Sequence, residues 1–179
     1  MIFIPKIIEN VRELLINEAK RQISENGYDS VTIRSIAKGC GLGLGTFYNY
    51  FKSKDMLIAT FLLEEWQERI RRICIRSDTE RDPAALVSLI YSELTGFIEN
   101  NSTLFNSSGA VKAFYGSVGQ KHKLLRSQIS EPLCRVCKAE GYENAEFLSD
   151  FVSEAVLTWT VEKKDYGEVA QVINKLFSK

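Results

Sequence analysis

The chain has 179 residues, 45% of them apolar, and its 23 lysines and arginines offset 23 aspartates and glutamates. That length suffices for a sizeable core. No apolar run approaches the roughly 18 residues that span a bilayer, the even charge excludes a nonspecific nucleic-acid coater, and the Met1-Ile2-Phe3-Ile4 start, with neither basic leader region nor cleavage site, predicts a cytoplasmic protein.

The most legible stretch runs from Thr32 to Lys54. Ile33, Ile36, Ala37 and Cys40 recur at helical spacing on one buried stripe, which leaves Arg34, Ser35 and Lys38 facing outward. Thr32 precedes the stripe as an N-cap. Gly41 supplies the positive φ at which a helix stops, and Leu42 fills the angle behind it. A second helix follows over about Leu44–Phe51, with Phe47 and Phe51 four apart on one face. Two short helices about a glycine turn are the layout of a DNA-reading helix-turn-helix, whose second helix enters the major groove by its N-terminal half. Leu44, Gly45, Thr46 and the polar side chains after them are the base-reading candidates.

Two other readings compete. The Gly41-x-Gly43-x-Gly45 spacing suits a nucleotide-binding loop, but such a loop follows a strand and precedes an acidic ribose contact, whereas the segment ahead of Gly41 reads as helix. A plain helical packing unit accounts for the stripe, though not for Tyr48, Tyr50, Lys52 and Lys54 crowding the end of so short a helix.

Beyond Lys54 the chain reads as amphipathic helices. Ser53 caps a fourth helix running to about Arg76, with Asp55 at its positive end. Residues 77–82 form a polar link, and Asp82-Pro83 sets a cap before proline at the first helical position. The next helix places Leu86, Leu89, Ile90, Phe97 and Ile98 on one face, and a polar break over 100–109 holds a short turn at Leu104-Phe105. A helical region from about Ala110, interrupted near Gly116–Gly119 and bent at Pro132, ends near Gly141. Asn144 caps a helix whose Phe147, Leu148, Phe151, Val152, Ala155, Val156 and Trp159 cover two adjacent stripes. Asp165 to Glu168 open a final helix bearing Val169, Ala170, Val172, Ile173, Leu176 and Phe177.

Cysteine usage fits a reducing compartment. Cys40 belongs to the stripe above, and Cys74 ends the apolar series Leu62, Trp66, Ile70, Ile73. Cys134 and Cys137 form a CxxC, but zinc takes about four ligands and the single histidine, His122, lies well upstream between two lysines. Two small residues on adjoining helical faces account for the pair equally. No metal or cofactor is expected. No Ser/His/Asp set or catalytic carboxylate pair emerges, so the chain does not read as an enzyme.

Three groups of residues carry a family likeness: Glu25-Asn26-Gly27-Tyr28-Asp29 closing a long first helix, Val31-Thr32-Ile33-Arg34-x-Ile36-Ala37, and Gly41-Leu42-x-x-Gly45-Thr46-Phe47-Tyr48-x-Tyr50-Phe51-x-x-Lys54-x-x-Leu57. Together, residues 14–58 resemble the N-terminal domain of the tetracycline-repressor (TetR) family of bacterial transcription regulators. The resemblance implies that Thr32 is a phosphate-contacting N-cap, that Arg34 reaches a guanine or a phosphate, and that Thr46 touches a base or a phosphate. It implies phosphate or backbone contacts for Tyr48, Tyr50 and Lys54, with Asn49 among the polar side chains beside them.

The chain departs from the family pattern at Gly43, where a small polar cap is usual, and at Leu44, where a polar or basic base-reader is common. An interior glycine costs a helix about 1 kcal/mol relative to alanine, so the recognition helix is expected to fray in the free protein and to order on DNA. Guanine reading then falls to Arg34, and Leu44 suits a thymine methyl. Charge adds little, since residues 1–58 hold eight cationic against six anionic side chains.

The resemblance further implies an all-α fold, with a three-helix helix-turn-helix DNA-binding domain over 1–54 and a helical ligand-binding and dimerisation domain over 55–179. It implies a homodimer built from the last two helices as an intermolecular four-helix bundle; burial of their stripes inside one chain is the competing account. A small-molecule effector would enter the second domain, where Tyr91, Phe97, Phe105, Phe114, Tyr115 and Trp159 are candidate lining residues and equally ordinary core. The expected activity is that of a repressor released from a palindromic operator by its effector. The alternative is a DNA-site-marking protein of the same fold that acts through a protein partner.

Overall fold

The computed structural model describes residues 10–105 and 118–178, and of 118–122 the backbone alone. All nine regular elements among the described residues are helices: α1 Val11–Asn26, α2 Ile33–Gly39, α3 Leu44–Tyr50, α4 Lys54–Ser77, α5 Pro83–Asn100, α6 Ser102–Phe105, α7 Val118–Ala139, α8 Ala145–Val161 and α9 Tyr166–Phe177. The chain is all-α, as its periodicity predicts. The described residues form two compact units, 10–63 with 103–105 and 64–102 with 118–178.

In the first unit, α1 buries Leu15, Ile16, Ala19 and Ile23, with Gln22 as a polar member of the same stripe. The chain leaves α1 through Gly27 at φ 78°. From α2 come Ile36 and Ala37, from α3 Phe47, and from α4 Leu57, Ile58, Phe61 and Leu62, all at most 2% exposed. Each of these side chains except that of Ala37 contributes roughly 1.5–3 kcal/mol of burial. The α2–α3 turn is closed by Gly41 at φ 67°. Its N–H donates to the Lys38 carbonyl at 3.0 Å while the Leu42 N–H reaches back to Ala37 O at 2.8 Å, the two bonds that satisfy orphan carbonyls at a glycine-terminated helix.

The second unit packs α5, α7, α8 and α9 with the later part of α4. The buried face of α5 is Leu86, Val87, Ile90, Tyr91, Leu94 and Phe97. This is turned from the expected face, for Leu89 and Ile98 are only half-buried. Asp82 caps the helix by accepting from Ala84 N at 2.9 Å, with Pro83 in the first turn. On α8, Ala145, Ser149, Val152, Ser153 and Val156 face inward, the two serines being small enough for close helix packing. Asn144 stands at the start of α8 but makes no side-chain cap, its backbone at φ −103°, ψ 36° lying away from the extended conformation that caps use. Asp165 does cap α9, through Gly167 N at 2.8 Å.

One ionic network ties α4 to α5. Arg69 is 8% exposed; its guanidinium donates to Glu65 at 2.8 Å and to the carboxylate and carbonyl of Glu93 at 3.0 and 2.9 Å. Arg72 adds a bond of 2.7 Å to Glu93, and Asn101 one of 3.0 Å to Glu65. The helix start expected near Ala110 and the interruption near Gly116–Gly119 fall on, or run into, residues outside the described set, as do Phe114, Tyr115 and the side chain of His122.

Candidate nucleic-acid interface

The helix-turn-helix begins with a closed cap. Thr32, in extended backbone, accepts from Ser35 N at 3.0 Å through Oγ1, while its own N–H donates to Ser35 Oγ at 3.0 Å. This is the reciprocal capping box, with serine in place of the usual glutamate or glutamine. The same Ser35 holds α1, since its hydroxyl lies 2.6 Å from Gln22 Oε1 and Gln22 Nε2 donates to the Ser35 carbonyl at 3.0 Å. Gln22 in turn donates to Glu18 at 2.7 Å. Arg21 and Gln22 together hold the Glu18 carboxyl below its ordinary pKa, against the opposing effect of burial. Sequence reading missed this clamp, although a glutamine inside the Leu15–Ala19–Ile23 stripe is the signal that reveals it.

α3 presents a divided surface. Phe47 is fully buried, meets Tyr48 edge-on at 5.8 Å, and packs at a tilt against Phe51 at 6.0 Å. Leu44, Gly45, Tyr48, Asn49 and Tyr50 are exposed, and Thr46 is half-buried. Gly43 is the N-cap rather than an interior residue, so only Gly45 weakens the helix, and neither glycine faces a protein atom within 4 Å of a built Cβ.

The cations separate into two kinds. Arg34, Lys38 and Lys52 are exposed and form no ion pair among the described residues. Lys54, the expected phosphate ligand, is placed differently. Its Nζ donates to the carbonyls of Tyr28 and Val31, each at 2.9 Å, and lies 3.9 Å from the centre of the Tyr28 ring. The ammonium is directed into the protein because those two carbonyls, in the turn between α1 and α2, offer it acceptors. The Tyr28 hydroxyl donates to Asp55, and burial together with that carboxylate raises the tyrosine to about 12.

Of the candidate effector residues, Tyr91 and Trp159 meet through the Tyr91 hydroxyl and the Trp159 carbonyl at 3.5 Å, while Phe114 and Tyr115 lie outside the described residues. Tyr91 donates to Lys164 O at 2.6 Å, its ring 5.3 Å from that of Tyr166, and so serves to hold the α8–α9 connection. It also borders an open cleft of about 400 Å3 with Ser88, Ser92 and Thr95. Phe97 packs on Trp66 at 5.5 Å. Trp159 and Phe105 are half-buried, and Phe105 belongs to the other unit. No group of three or more metal-binding side chains is present among the described residues, and none of their helices is long and apolar enough to cross a membrane.

Comparison with known proteins places this architecture. The profile for bacterial regulatory proteins of the tetR family matches residues 15–60. The HTH-type transcriptional regulator UidR of Escherichia coli is 34% identical over 61 residues, 34% of this chain and 31% of UidR, so the match spans about a third of that relative's length. The fatty acid metabolism regulator protein of Bacillus subtilis is 28% identical over 178 residues, covering 87% of each chain. Among solved structures, the regulator FadR of Bacillus subtilis in complex with stearoyl-CoA superposes with a TM-score of 0.55 at 19% identity, over 92% of this chain and 96% of that one, which shows a shared fold. With a capped helix-turn-helix inside the matched segment, residues 15–60 carry the N-terminal domain of the tetR family of bacterial regulatory proteins, on a chain whose helical fold is shared with solved regulators across most of its length.

Proposed function

We propose that the chain is a homodimeric transcription regulator, a repressor that leaves a palindromic operator when a small molecule binds its second unit. The observation that carries the DNA reading is the division of α3, with Phe47 at 0% exposure anchoring a helix whose Tyr48 and Tyr50 are 54% and 45% exposed. Such a helix is held by its inner face and offers its outer face to a groove. Thr32, Arg34, Thr46, Tyr48, Asn49 and Tyr50 supply the polar contacts, Gly45 the close approach, and Leu44 an apolar contact for a thymine methyl. Exposed Lys38 and Lys52 add phosphate neutralisation that sequence reading did not assign.

Support for the dimer comes from α8 and α9, where Phe147 is 75% exposed, Phe151 52% and Val172 45%. Large apolar side chains left outside the fold in this number mark an association surface. Support for an acyl-type effector comes from the relatives, one named for fatty acid metabolism and one structure holding stearoyl-CoA. A fatty-acyl thioester is therefore the first effector class to test. Titrating such thioesters against the protein bound to a duplex selected from a random pool checks the reading: release by a subset of chain lengths agrees with it, and indifference to all of them removes this class.

A further inference from the structure

Lys54 is the second clue to how the DNA-binding unit is kept in register. It sits at the first position of α4, where a cation opposes the helix dipole, yet its ammonium is not turned to solvent. Two of its three N–H groups are committed to the carbonyls of Tyr28 and Val31, and the Tyr28 ring covers another side at 3.9 Å. The turn between those carbonyls is anchored at both ends, with Tyr28 8% and Val31 2% exposed, and Val31 N also donates to Tyr28 O at 3.3 Å. The residue that follows immediately is Thr32. Its Oγ1 is used as an acceptor by Ser35 N, while its O–H donates to no described residue. The next residue of α4, Asp55, takes the Tyr28 hydroxyl, so two consecutive residues of α4 grip one tyrosine at its face and its end.

We propose that Lys54 is a positioning residue for DNA binding: it fixes the Tyr28–Val31 turn to the start of α4 and thereby sets the place at which Thr32 meets the nucleic acid, rather than neutralising a phosphate itself. It follows that a displacement of the α4 start is passed to Thr32 through two hydrogen bonds. This rests on the DNA-binding reading above.

Salt dependence and coupling together separate the roles. The affinity of the full chain for a duplex chosen by the parent protein from a random pool is measured across salt concentrations, for Lys54→Met, Thr32→Ala, the double variant and Lys52→Ala. A lysine that neutralises phosphate in both half-sites accounts for about 2 units of the log–log salt slope, at about 0.9 per contact. The positioning role predicts that Lys54→Met weakens binding about tenfold, the size of one hydrogen bond to a charged group, with the slope unchanged. It predicts further that Thr32→Ala costs little in the Lys54→Met background although it costs about tenfold in the parent. Lys52→Ala should reduce the slope. A reduced slope for Lys54→Met with additive effects of Thr32→Ala overturns the proposal.

Should Lys54→Met fail to fold, Tyr28→Phe removes only the hydroxyl bond to Asp55, from a side chain too buried to touch phosphate. The same coupling to Thr32→Ala, smaller in size, is then expected, and additivity counts against the role. A parent chain that binds no duplex at low salt fails the DNA reading itself, an outcome distinct from either result with the variants.

Discussion

Gln22 and Ser35 join α1 to α2 by bonds in both directions: the serine hydroxyl meets Gln22 Oε1 at 2.6 Å, and Gln22 Nε2 meets the serine carbonyl at 3.0 Å. Gln22 is 8% exposed, so truncation strands partners that water reaches poorly. Gln22→Ala should destabilise the protein by about 1–3 kcal/mol, the cost of leaving such groups unpaired. Urea unfolding measures this, and a loss below about half a kcal/mol, the level of ordinary surface substitutions, shows that the clamp is dispensable.

The Arg69 network makes the second unit sensitive to acid. Arg72 and Arg69 hold the Glu93 carboxyl below its ordinary range. For Glu65, burial pushes upward but is outweighed by the bonds from Asn101 and Arg69. Both groups therefore bind protons more readily in the unfolded chain. Their contribution is full above the ordinary carboxylate range and is lost as pH falls through the lower folded values. Denaturant midpoints should decline through the acid range in the parent and decline less in a Glu65→Gln, Glu93→Gln variant. Parallel pH profiles would dismiss the network as the cause.

Gly45 is a site where stability and binding should part. A Cβ there meets no protein atom within 4 Å, and position 45 lies about 200° around the helix from buried Phe47. Gly45→Ala should stabilise α3 by about 1 kcal/mol and weaken DNA binding, because the methyl enters the space between backbone and groove. Improved stability with unchanged affinity would place the DNA elsewhere on the unit.

Much of this unit is legible in local sequence. Of the expected stripe, Ile36 and Ala37 are buried while Ile33 and Cys40, at its ends, are only half-buried; Gly41 does adopt positive φ, and Ser53 does cap α4 through Met56 N at 3.0 Å. These features depend on residues within a turn or two. The partners of Lys54 lie 23 and 26 residues away, and the Tyr91 hydroxyl finds its carbonyl 73 residues on. Family resemblance places Lys54 at the head of α4 but carries no information on where its ammonium points, which depends on how the Tyr28 turn crosses that helix. The face of α5 was misjudged for a related reason: with apolar residues at 86, 87, 89, 90, 91, 94, 97 and 98, period alone does not choose among overlapping stripes.

The exposed face of α8 gives a separate prediction. Phe147 and Phe151 are one helical turn apart and 75% and 52% exposed, so replacing both by glutamate alters the proposed association surface without touching the inward stripe. Sedimentation should show the parent as a dimer and the double variant as a folded monomer. A parent that is monomeric, or a variant that stays dimeric, would move the interface from this face.

The central claim is that the divided surface of α3 reads DNA as a dimer. Selecting bound sequences from a random duplex pool at near-physiological salt, then footprinting the winner, tests it most directly. The account predicts a palindrome whose half-site centres lie about one helical turn, roughly 34–36 Å, apart. Binding without any enriched sequence, or an enriched site lacking two-fold symmetry, would contradict it.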